Sequence, residues 1–166
     1  MTAARQQRKP RLVLRLAIGL AVYGGIFAPA AIWGAPTDRI VIDAHTGVAI
    51  SGFDPVSYFT DAKPKIGRPD LELRADGTVW RFKNEGNRAA FIDHPEVYMP
   101  RFGGYDPVAV ARGASVPGHP LYWAVIGERL YLFYSDEART AFLADPGRII
   151  ERATRKWPEV ARSIAR

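Results

Sequence analysis

The order of hydrophobic and polar residues along the chain contains the same β-hairpin pattern twice. Runs in which apolar and polar residues alternate lie on both sides of Asp76-Gly77, and runs rich in apolar and aromatic residues lie on both sides of Gly127-Glu128. Alternation with a period of two is typical of half-buried strands, and a two-residue link such as Asp-Gly favours a tight primed turn. The pattern therefore predicts two antiparallel hairpins at an offset of 51 residues.

A short helix pattern follows each predicted hairpin. Asn84 precedes the first helix and Ser135 precedes the second, and both residue types are common N-caps because their side-chain oxygens accept backbone N–H groups. The helices are expected to end by His94-Pro95 and Asp145-Pro146, because a proline disfavours helical geometry at the residue that precedes it. The equivalent residues in the two copies are Phe82 and Phe133, Arg88 and Arg139, Phe91 and Phe142, and Pro95 and Pro146.

A segment in front of each hairpin also repeats. Gly52-Phe53-Asp54-Pro55-Val56-Ser57 returns as Gly104-Tyr105-Asp106-Pro107-Val108-Ala109, at an offset of 52 residues. One unit of turn, hairpin and helix has about 45 residues and buries too little apolar surface to be stable alone. We therefore expect an α+β fold of small antiparallel hairpins with short packed helices, in which two half-units, residues 36–101 and 102–147, share one core. The expected core aromatics are Trp80, Phe82, Phe91, Tyr131, Phe133 and Phe142.

The last segment, residues 148–166, has the pattern of a basic amphipathic helix. Pro158 is expected to end or restart this helix, because proline has no N–H for the helical ladder. Two roles are open for the segment: docking on the core with a solvated basic face, or contact with an anionic membrane surface. Its apolar stripe consists of Ile149, Ile150, Ala153 and Trp157.

The first segment, residues 1–35, has the composition of a signal peptide or an N-terminal membrane anchor. Five basic residues without any acid precede an uncharged apolar stretch of about 20 residues. Ala28-Pro29-Ala30 matches the small-residue cleavage pattern of signal peptides. The stretch is also long enough to span a bilayer if it is retained, with its basic end in the cytoplasm. Both alternatives place the rest of the chain outside the cytoplasm, as a periplasmic or an inner-membrane-anchored protein.

Charge and composition restrict the classes of partner and chemistry. The 166 residues carry a net charge of +6, but the basic excess lies in residues 1–30 and 148–166, and the body between them is mildly acidic. An exported domain with this distribution is not expected to bind nucleic acid. The chain has no cysteine, which excludes disulfides, thiolate nucleophiles and thiolate-bound metal.

Residues 47–59, 80–98, 101–105 and 130–134, followed by Trp157-Pro158, form an ordered series of motifs. In this order they resemble segments of the bacterial YHS domain-containing (seleno)proteins, and the resemblance covers nearly the whole chain after the N-terminal segment. It implies an exported protein built from YHS-like units, which are related to modules associated with metal handling. The second motif of that family usually continues with cysteine or selenocysteine, where this chain has Asp106.

The repeated Asp-Pro segments supply the strongest candidates for chemistry. Asp54 and Asp106 hold equivalent places in the two copies, and a facing pair of carboxylates could bind a hard cation or share a proton. The alternative is structural, because Asp before Pro is a common turn former whose carboxylate accepts nearby N–H groups. The candidate ligand-binding residues are Asp54, Tyr105 and Asp106, and the candidate ligands of a divalent metal ion are Asp54, Asp106 and His94. No residue is assigned a catalytic role.

These observations favour a non-catalytic binding module over an enzyme. The expected ligand is a metal ion, a small molecule or a partner protein. Two alternatives stay open: a redox-accessory or enzymatic component that uses Asp106 where relatives have cysteine, and a structural membrane-associated protein. The inner membrane is an expected partner through residues 1–35 if they are retained, and through the 148–166 helix.

Overall fold

The computed structural model describes residues 40–164, and the predicted signal peptide or anchor at 1–35 lies outside the described residues. In the described part of the chain, two separate two-stranded antiparallel sheets pack with five short helices and one long one, which confirms the predicted α+β class. In chain order the elements are the 3₁₀ turn Ile50–Gly52, α1 (Ser57–Thr60), β1 (Arg68–Ala75), β2 (Thr78–Phe82), α2 (Glu85–Asp93), α3 (Pro95–Tyr98), the 3₁₀ turn Arg101–Gly104, α4 (Pro107–Val110), β3 (His119–Ile126), β4 (Arg129–Phe133), α5 (Asp136–Ala144) and α6 (Pro146–Ile164).

Both hairpins have the geometry that the sequence predicts. β1 pairs with β2 and β3 pairs with β4, and the two pairs share a register shift at the same place in their first strands. Both residues of each turn have positive φ: 48° and 74° at Asp76-Gly77, and 56° and 57° at Gly127-Glu128. Primed turns of this kind match the right-handed twist of the strands that they join.

The predicted helix caps are present in both copies. The side-chain oxygen of Asn84 accepts the N–H of Asn87 at 2.8 Å, and the hydroxyl of Ser135 accepts the N–H of Ala138 at 3.3 Å. α2 and α5 end in front of the His-Pro and Asp-Pro pairs, as predicted. The local chemistry of each copy is thus sufficient to begin and end its helix.

The buried side chains form two clusters, and β4 contributes to both. Leu130 and Leu132 pack in the first cluster with Trp80, whereas Tyr131 and Phe133 pack in the second. Four consecutive residues of β4 are therefore buried, while burial alternates along β2. The two half-units share buried surface through this strand, and all six aromatics predicted for the core are buried.

α6 packs its apolar stripe against the second cluster. Ala153, Trp157 and Val160 are buried there, and Ile149 and Ile150 are half-buried against them. The segment thus takes the first of its two predicted roles, docking on the core with the basic side chains exposed to solvent. Within residues 40–164, no helix combines the length and the apolar character that crossing a bilayer requires.

Pro158 does not interrupt α6, contrary to the prediction. The helix runs through it, from Pro146 to Ile164. A proline inside a helix costs about 3 kcal/mol, because it lacks the N–H of the ladder and crowds the preceding turn. Trp157 and Val160 flank it and are buried, and burial of a large apolar side chain contributes about 1.5–3 kcal/mol. Packing against the core therefore offsets the local cost.

Tyr58 connects the two half-units at the first cluster. Its hydroxyl donates a hydrogen bond to the carbonyl of Pro120 at 3.0 Å, and its ring packs edge-on against Trp123, with 5.3 Å between centroids. The side chain is buried. Burial, with a smaller effect from the charge of Asp54, raises the pKa of Tyr58 well above its ordinary value of 10.0.

We expect the folded chain to lose stability in alkaline solution because of Tyr58. The folded state keeps the phenol neutral, whereas the unfolded chain ionises it near pH 10, so the folded pKa is the higher one. The stability from this group is complete below pH 10 and falls as pH rises towards the folded pKa, by up to about 1.4 kcal/mol per pH unit. Urea unfolding between pH 9 and about 11 measures this slope.

The Tyr58→Phe variant should show a shallower alkaline slope than the parent chain. It should also be less stable by about 1 kcal/mol at neutral pH, because the hydrogen bond to Pro120 is lost. Tyr134→Phe is the matched control, since Tyr134 is 64% exposed. Equal slopes in the parent and in Tyr58→Phe would contradict the assignment.

Candidate functional site

Asp54 is buried, and the fold uses both of its carboxylate oxygens. Oδ1 accepts the N–H of Val56 at 2.9 Å, and Oδ2 accepts the N–H of Lys83 at 2.9 Å and the side-chain amide of Asn87 at 2.7 Å. Lys83 follows β2, and Asn87 lies on α2. The carboxylate therefore ties the Asp-Pro turn to the end of its own hairpin and to the helix that follows.

Asp106 has the same role in the second copy. Oδ1 accepts the N–H groups of Val108 at 2.7 Å and Ala109 at 3.3 Å, and Oδ2 accepts the N–H of Tyr134 at 2.9 Å. Tyr134 follows β4 as Lys83 follows β2. The side chain of Asp106 is only 2% exposed. Both acids thus act as turn-forming residues, which is the structural one of their two predicted roles.

The candidate metal ligands do not form a common site. The hydrogen-bond partners of Asp54 lie in the first half-unit and those of Asp106 in the second. The side chain of His94 is 65% exposed at the end of α2, with Nδ1 3.7 Å from Oε1 of Glu96. No group of three or more His, Asp or Glu within residues 40–164 could hold a metal ion. The structure therefore does not assemble Asp54, Asp106 and His94 into a metal centre.

Tyr105, the remaining candidate, packs against α6. Its ring centroid lies 6.0 Å from that of Trp157, and its backbone forms an isolated bridge with Pro117. The residue is half-buried. Its contacts position the second Asp-Pro turn beside the C-terminal helix.

A groove between α4 and α6 lies outside the duplicated turns. Its volume is about 330 Å³, and its charged lining consists of Arg112, Arg148, Arg152 and Asp145. A second pocket of about 330 Å³ adjoins it and shares Arg152. We refer to the first pocket as the α4–α6 groove.

Two elements bring the three arginines to this groove. Arg148 and Arg152 are four residues apart on α6, so their side chains lie on one face of the helix. Arg112 follows α4, in the turn after Val110. α6 reaches α4 because Ala153, Trp157 and Val160 anchor it on the second cluster. The groove thus depends on tertiary packing between two segments that are distant in sequence.

The three arginines have no ion-pair partner within residues 40–164. By contrast, the next two cations of α6 are paired, Arg155 with Glu151 and Lys156 with Glu159. Asp145 is the one acid of the groove lining, and its Oδ1 accepts the backbone N–H of Arg148 at 3.2 Å. The lining therefore carries a net charge of +2, without a carboxylate bound to any of the three guanidinium groups.

Comparison with family models, with curated proteins and with solved structures finds no match to this chain. The resemblance to YHS domain-containing proteins therefore stays a prediction, and the function has to be inferred from the geometry of the chain itself.

Sequence reasoning predicted the basic face of the C-terminal helix but missed the groove. It did not place Arg112 beside this face, because periodicity gives no information about contacts between distant segments. The internal repeat contains a usable signal. In the first copy the helix that corresponds to α6 is α3, which has only 4 residues, and the turn after α1 contains no arginine. The long helix and Arg112 are therefore additions of the second copy to the common unit.

Proposed function

We propose that this chain is an exported, non-catalytic binding module and that the α4–α6 groove is its ligand site. The observation that carries the proposal is the presence of Arg112, Arg148 and Arg152 around one groove without ion-pair partners within residues 40–164. Like-charged guanidinium groups that line one groove repel one another, and a bound anion offsets this repulsion with charge-assisted hydrogen bonds. The expected ligand is therefore anionic.

Comparison of the two copies supports this choice of site. The features that the hairpin unit needs occur twice: the buried Asp of each Asp-Pro turn, the primed turn and the helix cap. The arginines of the groove occur once, so the architecture does not depend on them. Charged groups that the fold does not need are better candidates for binding than Asp54 and Asp106, which both copies use structurally.

The state of the two acids supports a non-catalytic role. Each carboxylate accepts three N–H groups and is at most 2% exposed. A general acid or base must lie within hydrogen-bond reach of the proton that it transfers. The redox-accessory or enzymatic alternative needs Asp106 in such a position, and its present partners are all backbone N–H groups. Export is inferred from the composition of residues 1–35 and from the resemblance to the YHS family.

We expect a polyvalent organic anion to stabilise the chain through the groove. Citrate added to the purified full chain at low salt should raise the melting temperature, because a ligand that binds only the folded state shifts the unfolding equilibrium. Arg152→Gln should remove most of this shift, since Arg152 lines both pockets. Arg74→Gln removes the same charge from an exposed position on β1 and should keep the full shift.

Two results would count against the proposal. Equal shifts in Arg152→Gln and Arg74→Gln would mean that citrate acts by general screening of the basic surface. The absence of a shift in the parent chain would remove the groove as an anion site.

A further inference from the structure

We infer that the ligand of the α4–α6 groove is an organic phosphomonoester, whose phosphate lies among Arg112, Arg148 and Arg152. The inference rests on the proposed function, since it specifies the chemical class of the anion. Three properties of the groove lead to it: its charge, the donors that it presents and its apolar wall.

The charge of the groove matches a dianion. Three arginines and Asp145 give the lining a net charge of +2. A phosphomonoester carries a charge of about −1.5 to −2 at pH 7. A single carboxylate, a sulfate monoester or a phosphodiester carries only one negative charge and would leave the arginines partly uncompensated.

The donors of the groove also suit a phosphate. Each guanidinium presents a planar fork of N–H groups that binds phosphate oxygens in pairs, and three forks match the three non-ester oxygens of a monoester. Arg148 is the third residue of α6, so the positive end of the helix dipole adds to the field at this end of the groove. A carboxylate has two oxygens and cannot engage three forks in this way.

The remaining wall of the groove is apolar. Val108, Ala111, Ala141 and Ile149 line it next to the arginines. The volume of about 330 Å³ lies at the lower end of the usual range for small-molecule sites, about 300–1,000 Å³. An apolar wall beside a cationic one is suited to a small organic group esterified to a phosphate, and this favours an ester over inorganic phosphate.

Two sources could supply this chemistry. One is a soluble phosphate ester, and the other is the headgroup of phosphatidic acid at a membrane surface. Both present the same phosphomonoester dianion on an organic group. The following experiments measure recognition of the phosphate first and then distinguish the two sources.

Calorimetric titration of the full chain with phenyl phosphate and phenyl sulfate tests recognition of the dianion. The two probes share shape and apolar group but differ by one charge, so phenyl phosphate should bind at least about tenfold more tightly. Its affinity should fall as pH is lowered through the second phosphate pKa, near 6. Inorganic phosphate should bind more weakly than phenyl phosphate. Equal affinities for phenyl phosphate and phenyl sulfate would overturn the inference.

Variants of the groove should change the affinity for phenyl phosphate in opposite directions. Arg112→Gln should weaken binding about tenfold or more, since it removes one of three forks. Asp145→Asn keeps an acceptor for the N–H of Arg148 and raises the lining charge from +2 to +3, so it should tighten binding. A damaged fold cannot produce such a gain. Arg74→Gln should bind as the parent does, and an unchanged affinity in Arg112→Gln would contradict the site.

Flotation with vesicles distinguishes the two sources. The full chain and Arg112→Gln are compared on vesicles that contain phosphatidic acid, phosphatidylglycerol or phosphatidylcholine, so that any contribution of residues 1–35 is the same in both. A difference confined to phosphatidic acid assigns the lipid headgroup, and equal flotation with selective phenyl phosphate binding assigns a soluble ester.

If citrate stabilises the chain but phenyl phosphate does not bind, the inference fails and the proposed function stands. If neither has an effect, both fail.

Discussion

Replacement of Asp54 by alanine should lower the free energy of unfolding by about 3 kcal/mol or more. The N–H groups of Val56 and Lys83 and the side-chain amide of Asn87 would lose their acceptor at a buried site. Each buried donor left without a partner costs about 1–3 kcal/mol. Asp106→Ala should have an effect of similar size, because it also orphans three N–H groups.

The conservative variant Asp54→Asn separates the effect of the carboxylate on stability from the effect of the size of the side chain. Asp54→Asn keeps the size but presents an NH₂ group where an oxygen now accepts a hydrogen bond, so it should be clearly destabilised as well. Asp93→Asn, at the exposed C-terminal end of α2, changes the same functional group outside any buried turn and should stay within about 0.5 kcal/mol of the parent. Urea unfolding of the parent chain and the four variants measures the differences. An Asp54→Ala variant as stable as Asp93→Asn would refute the turn-forming role.

Replacement of Gly118 by alanine should also lower the free energy of unfolding strongly, by about 1–3 kcal/mol or more. A Cβ at this position would lie 2.6 Å from the carbonyl oxygen of Gly104 and 2.6 Å from Cβ of Leu132. The same carbonyl accepts the N–H of Gly118 at 2.9 Å. The backbone at Gly118 therefore cannot move away from Gly104 without weakening that hydrogen bond. The clash therefore involves the contact that joins the second turn to its hairpin.

Gly67 occupies the equivalent place in the first copy. A Cβ there would lie 2.5 Å from the carbonyl carbon of Arg81, and Gly67→Ala should be destabilised like Gly118→Ala. Gly147→Ala is the matched control, because an added Cβ meets nothing within 4 Å in the first turn of α6. It should be neutral or slightly stabilising, since alanine favours a helix over glycine. The melting temperatures of the three variants in one buffer test this difference, and equal values would contradict the steric argument.

The duplicated fold could be predicted from the sequence because its signals are local. Asp76-Gly77 and Gly127-Glu128 specify tight turns, and Asn84 and Ser135 cap helices through a backbone N–H three residues ahead. Such contacts span few residues, so composition and spacing are sufficient to identify them. The position of the aromatic core followed from strand alternation and helix periodicity.

The candidate site could be predicted only in part, because it depends on contacts between distant segments. The sequence offered Asp54 and Asp106 as ligands or as turn formers, and the choice depends on Lys83 and Tyr134, which are 29 and 28 residues away. Arg112 and Arg152 line one groove only because α6 is anchored on the second cluster. The same anchoring carries α6 through Pro158, which local rules place at a helix end.

The burial of β4 on both sides affects how the chain unfolds. In most repeat proteins each repeat contacts only its neighbours, and stability is close to a sum over repeats. Here Leu130 and Leu132 belong to one cluster, and Tyr131 and Phe133 belong to the other. Opening of either half-unit uncovers one side of this strand and removes support from the other half. Residues 40–164 should therefore unfold in a single cooperative transition, without a stable intermediate that retains one half.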